Sequence, residues 1–138
     1  SSSNPRRPSD RIQGVRKYGG VLVVSVVCSG PIGLEFLVDT GAAKTAITPA
    51  AAIALGELVA RPLRTDRIAP VGKRILSAPV VQLQSIQVGR HEVSHIEALI
   101  LDLPPELHID GLLGVDFLEQ FRVTIEFDTQ RLVLRSRN

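Results

Sequence analysis

An aspartate at the end of an apolar run is the most chemically pointed feature of this 138-residue sequence. Phe36-Leu37-Val38 leads straight into Asp39-Thr40-Gly41-Ala42. Apolar runs of this kind form buried strands, and a carboxylate at the end of one is costly to bury without partners. The hydroxyl of Thr40 can both donate and accept a hydrogen bond in the same confined space. Gly41 implies either an unusual backbone conformation or a close backbone approach. The stretch thus holds an acidic group rigidly at a strand end, as a catalytic carboxylate is held. Asp and Gly are also ordinary turn residues, so the triplet alone decides little. A second stretch carries the argument further: Asp110-Gly111-Leu112-Leu113-Gly114-Val115-Asp116-Phe117-Leu118.

Short strands are needed to position these two loops. Val21 to Val27 is a strong strand, Gly30-Pro31-Ile32-Gly33 a turn, and Leu34 to Val38 the returning strand. After the Asp39 loop, a short strand near Thr45 runs into a helix that Thr48 caps, Pro49 opens and Gly56 ends. Arg67-Ile68 and Arg74-Ile75-Leu76 flank Ala69-Pro70-Val71-Gly72-Lys73, a hairpin suited to cover a site. Val80 to Val88 and Val93 to Leu101 are two further strands, the first alternating with Val81, Leu83 and Ser85 on one face. One or two helical turns over Asp116 to Gln120 precede a closing hairpin, Phe121 to Phe127 and Leu132 to Leu134. The second half repeats the plan of the first, with Leu112-Leu113-Gly114 in the place of Val38-Asp39-Thr40-Gly41.

Composition narrows the function classes. The length fits one domain, large enough to bury roughly two-thirds of its unfolded surface without metal or disulfide. Abundant Val and Ile, with no Trp and no Met, favour strands. Cys28 is the only cysteine, so no internal disulfide can form, and its apolar setting makes it a buried structural thiol. A net charge of +2 without an aromatic platform argues against nucleic acid as a partner. Ser1 to Arg16 is rich in Ser, Pro and Arg and reads as a flexible basic arm. No stretch approaches the roughly 20 apolar residues of a membrane span. The chain lacks an initiating Met and reads as a fragment or processed chain, whose compartment is open. An upstream anchor or signal would make it membrane-attached or, in a bacterium, periplasmic.

Through its two loops the chain resembles the retropepsin-like aspartic proteases, from Gly20 to about Arg135. Asp39-Thr40-Gly41-Ala42 is similar to the family's active-site triplet and the small residue after it. Leu112-Leu113-Gly114 is similar to the hydrophobic-hydrophobic-glycine motif that braces the active-site loop. The resemblance implies an all-β fold, the closed barrel-like half of a pepsin-type enzyme, with one or two short helices. It places the domain at residues 19–138 behind an arm at 1–18. It also implies an aspartic-type endopeptidase acting on polypeptides, with no metal or organic cofactor. Asp128-Thr129-Gln130 lacks the glycine, so a catalytic pair needs one Asp39 from each subunit of a twofold homodimer. By the same resemblance Asp39, Thr40 and Gly41 would be the catalytic triplet, with Thr40 bonding across the pair and the Gly41 N–H facing the carboxylate. Ala42 and the flap residues Val71, Gly72 and Lys73 would hold an extended peptide. Viral members carry an acidic residue and an arginine where this chain has Ala43 and Val115, so their dimer contacts are not carried over. The chain looks closer to cellular and bacterial members.

The remaining polar residues offer less. His91 and His95 lie four apart on a strand, a separation of about 13 Å, too far for one metal ion. His108 reads as a surface loop residue, and Asp102 and Asp110 as turn residues, Asp110 with some reach toward the Asp39 loop. The rival from another class is a non-catalytic dimerisation or peptide-binding module with the same fold. An intact Asp39-Thr40-Gly41 argues against it, because a binding module has no need of a costly paired carboxylate. A third reading is a monomer that becomes active when a larger protein brings two copies together.

Overall fold

In the computed structural model, residues 9–17, 20–59, 61–69, 72 and 74–137 are described. Two strands stand where the arm was expected. β1 (Ser9–Gln13) pairs antiparallel with the strand Arg131–Ser136, from Ser9 opposite Arg135 to Gln13 opposite Arg131. β2 (Val15–Lys17) pairs antiparallel with the strand Val21–Cys28. Residues 9–17 therefore belong to the folded domain, which corrects the arm boundary at residue 18; the rest of the arm, residues 1–8 and 18, lies outside the described residues. These strands are held by backbone ladders at sheet edges, which need no apolar periodicity. Between them the chain passes so close to the barrel that a Cβ on Gly14 would stand 2.7 Å from both Leu22 Cδ1 and Val23 O.

The remaining elements follow the expected order. They are β3 (Val21–Cys28), β4 (Ile32–Val38), β5 (Ala46–Ile47), α1 (Pro49–Leu55), β6 (Arg64–Ile68), β7 (Leu76–Val88) and β8 (His91–Ile100). β9 (Gly111–Leu113), α2 (Val115–Leu118), β10 (Phe121–Glu126) and β11 (Arg131–Ser136) complete the chain. Eight strands form one sheet in the order β2-β3-β4-β9-β5-β8-β7-β6. β3 also pairs with β7, at Val27–Gln87 and Cys28–Ile86, so the sheet closes on itself as a barrel. A separate sheet, β1-β11-β10, packs Leu132 and Leu134 onto the barrel core beside Phe36, Phe117 and Leu113. The fold is all-β with two short α-helices, and none of the described helices is long and apolar enough to cross a membrane.

Local chemistry explains the joints. The Thr48 hydroxyl accepts the Ala51 N–H at 3.1 Å, Pro49 opens α1, and Gly56 ends it with φ at 59°. The β7–β8 ladder changes phase half-way: Leu83 and Ile96 face the core, then Ile86 and Val93, so Ser85 is not the inward residue its alternation predicted. Gln84 and His95 sit at that step. His95 has φ of 56°, and the Gln84 N–H leaves the ladder for Ser29 Oγ at 3.2 Å. The expected cover is a real hairpin, with Ile68 opposite Leu76. Of its tip, Gly72 is described, with φ of 74°; Val71 and Lys73 lie outside the described residues.

Candidate active site

β4 delivers Asp39 to the end of the sheet, and β9 lies parallel beside it. Phe36 is opposite Gly111, Leu37 opposite Leu112, and Val38 opposite Leu113. The two halves of the chain thus leave the sheet side by side, at Asp39 and at Gly114. The Asp39 N–H donates to Leu113 O at 3.0 Å. The Gly41 N–H donates to Asp39 Oδ1 at 2.9 Å, and the Ala42 N–H closes the turn on Asp39 O at 3.2 Å. A Cβ on Gly41 would lie 3.3 Å from Asp39 Oδ1, and Gly41 is not in the left-handed region. Of the two explanations for that glycine, close approach is the operative one. Asp39 itself is half-buried, with its carboxylate oriented by its own loop.

The loop is fastened from behind. The Val115 N–H donates to Ala42 O at 2.8 Å, and the Asp116 N–H to Ala43 O at 3.3 Å. Asp116 Oδ1 accepts three bonds: the Thr45 N–H at 2.9 Å, the Thr45 hydroxyl at 2.8 Å and the Phe117 N–H at 2.9 Å. The Thr45 hydroxyl in turn accepts the Gly114 N–H at 3.2 Å and is fully enclosed. Gly114 admits no side chain, since a Cβ there would meet Lys44 C at 2.5 Å. Thr45 and Asp116 were not singled out in the sequence. The available signal was a carboxylate two residues past the second motif's glycine, on an otherwise apolar turn. Ala43 and Val115 sit at this junction and bond through backbone alone, Ala43 O to the Asp116 N–H and the Val115 N–H to Ala42 O.

Two hollows flank Asp39. One, of about 470 Å³, is lined by Val21, Leu37, Thr40, Leu103, Ile125 and Phe127 among others. The second, of about 530 Å³, is lined by Gly41, Ala42, Lys44, Asp66, Ile68 and Leu101 among others. Asp39 and Leu112 border both. Leu113 is fully buried behind the loop, whereas Leu112 is half-exposed between the hollows. Ile68, in the last paired rung before the hairpin's tip, brings that end of the hairpin to the second hollow.

Other candidates fall outside this cluster. Asp110 clamps the flank of β4, not the Asp39 loop: its Oδ2 accepts the Glu35 N–H at 2.8 Å, and its own N–H donates to Glu35 O at 2.7 Å. Cys28 is buried, and burial, with the Asp110 charge second, pushes its thiol up to about 12. His91 is buried edge-on to Phe121, at 5.1 Å between ring centres, whereas His95 is exposed. His108 is an exposed residue in the left-handed conformation, ending a 3-10 turn.

Over residues 24–117 the sequence matches the aspartyl protease family. The chain belongs to that family. Its fold is shared with a retropepsin-like aspartic protease from Rickettsia conorii, at a TM-score of 0.66 and 23% identity, over 99% of this chain and 97% of that one. The EIAV protease, complexed with the inhibitor HBY-793, aligns at a TM-score of 0.60 and 21% identity over 76% and 91% of the two chains. The retroviral protease-like domain of Ddi1 from Leishmania major aligns at 0.57 and 15%, over 83% and 88%. No curated protein matches the sequence significantly.

Proposed function

We propose that this protein is an aspartic endopeptidase that works as a homodimer, each subunit supplying one Asp39. The observation that carries the reading is the placement of Asp39: a half-buried carboxylate at a strand end, held by Gly41 and bordered by two hollows. Hydrolysis of a peptide bond by carboxylates needs one group to take a proton from water and another to protonate the carbonyl oxygen. Two carboxylates about 3 Å apart share one proton and so provide both functions. The titration then belongs to the pair. Since the chain has one Asp-Thr-Gly, the second carboxylate comes from a second copy. In this reading Thr40 bonds across the pair and Gly41 orients the carboxylate. Ala42 and the cover residues Val71, Gly72 and Lys73 hold the polypeptide as an extended strand, and Leu112, Leu113 and Gly114 brace the site.

The unpaired edge of β10 supports the dimer. β10 pairs with β11 on one side and with no strand among the described residues on the other. Exposed edges of this kind invite a partner strand. Antiparallel pairing of two copies centred on Thr124 sets Arg122 opposite Glu126, and Val123 opposite Ile125, on matching faces. The strand ends beside the catalytic loop, since Ile125 and Phe127 line a hollow with Asp39.

The test is cleavage of an unfolded protein substrate from acidic to neutral pH, over a wide range of enzyme concentration, for wild type and Asp39→Asn. The expected result is activity that rises faster than linearly at low concentration and is lost in the variant. Cleavage that persists in Asp39→Asn overturns the reading.

A further inference from the structure

Away from Asp39, four charged side chains form one connected cluster. Arg64 donates through Nη1 to Glu97 Oε2 at 2.9 Å and through Nη2 to Glu97 Oε1 at 2.6 Å. Its Nε donates to Asp66 Oδ1 at 2.9 Å, and its Nη2 to Asp66 Oδ2 at 3.3 Å. Lys44 Nζ donates to Glu97 Oε1 at 3.3 Å. Two cations and two anions neutralise one another, so the cluster is not an ion-binding site. Its interest lies in what it joins.

Glu97 stands on β8, Arg64 and Asp66 on the outer arm of the cover hairpin, and Lys44 in the loop between Asp39 and Thr45. Lys44 immediately precedes the threonine that Asp116 locks, and both Lys44 and Asp66 line the second hollow beside Asp39. β6 has few other anchors. Among the described residues it is an edge strand paired only with β7, and Ile68 is its one apolar residue packed on a core cluster, that of Ala46, Ala78, Val80 and Leu99. A single exposed ion pair would hold such a strand weakly. A two-pronged arginine on a carboxylate that also takes a lysine is the geometry in which surface charges do constrain position. Hydrogen bonds from Arg64 first, and from Lys44 to a lesser degree, outweigh desolvation and hold the Glu97 carboxyl down at about 2, so Glu97 stays charged at mildly acidic pH.

We propose that Glu97 is a positioning residue: through Arg64 and Lys44 it sets the height of the cover hairpin over Asp39, and so the grip on an extended polypeptide. This rests on the peptidase reading. Glu97 touches no reacting atom, so its loss acts on substrate capture more than on the chemical step.

The test is Glu97→Gln, which keeps the side-chain size and removes the charge, with Arg64→Gln as an independent second variant. The expected result is a several-fold rise in KM for a peptide substrate, with kcat nearly unchanged and faster amide hydrogen exchange across β6. High salt should reproduce the KM shift in wild type and do little further to Glu97→Gln. Unchanged exchange in β6 overturns the strap, whether or not the protein cleaves peptides. Faster exchange with unchanged KM, or a loss confined to kcat, overturns the positioning role. An inactive wild type overturns the peptidase reading separately, and the exchange measurement still decides the strap.

Discussion

Thr45 and Asp116, 71 residues apart, are joined twice: the Thr45 amide and hydroxyl both donate to Asp116 Oδ1, at 2.9 and 2.8 Å. This double bond set fastens the loop after Asp39 to the helix after Gly114, and so couples the two halves of the chain directly behind the site. Asp116→Ala leaves the Thr45 amide and the Thr45 hydroxyl without this acceptor, while the Phe117 amide keeps Gly114 O at 3.1 Å. Unsatisfied buried groups cost roughly 1–3 kcal/mol each. Since water can reach part of this site, a loss of about 2–4 kcal/mol is expected. Urea unfolding measures it, and Asp116→Asn should lose distinctly less.

Gly114→Ala drives a methyl against the Lys44 carbonyl carbon and oxygen, at 2.5 and 2.7 Å, where backbone must give way. Gly33→Ala meets nothing within 4 Å and has no positive φ. The first change should lower the melting temperature strongly and the second hardly at all. Equal melting temperatures would contradict the close crossing of the two loops.

If the β10 edge pairs with itself about Thr124, its charges must be complementary. Arg122→Glu should weaken self-association, as should Glu126→Arg, because each places like charges opposite one another. The double variant restores the pairing and should recover most of the association. Sedimentation across a concentration series is the measurement, and it needs no substrate. A double variant no better than the singles would rule out this register.

Cys28 makes a prediction at alkaline pH. Burial raises its thiol from 9.0 to about 12. The unfolded chain then releases a proton that the folded chain keeps, so stability from this group is full below pH 9 and falls as pH rises toward 12. The slope is about 1.4 kcal/mol per pH unit in that window. Urea midpoints for wild type and Cys28→Ala should converge as pH rises from 8 to the upper end of the window. A constant gap would show that the thiol does not ionise differently on unfolding.

Much of the site was legible because its signals are local. An apolar run ending in Asp39-Thr40-Gly41 marks a strand carrying a carboxylate, and Thr48, Pro49 and Gly56 mark a helix by the orphan backbone groups they satisfy. In the proposed reading, the one Asp-Thr-Gly also limits a single chain to half of a carboxylate pair. What tertiary structure alone decided depends on groups far apart in the chain. β1 and β2 join the domain through edge ladders that any sequence without proline in the ladder can make, so their composition read as an arm. β4 and β9 lie parallel because the barrel closes around Phe36 and Leu113, a packing result with no local mark. Glu97 meets Arg64 across 33 residues, and Asp116 meets Thr45 across 71, because the closed sheet brings their strands and loops to one end. Local sequence specifies which residues can carry the chemistry; chain closure decides which distant residues hold them in place.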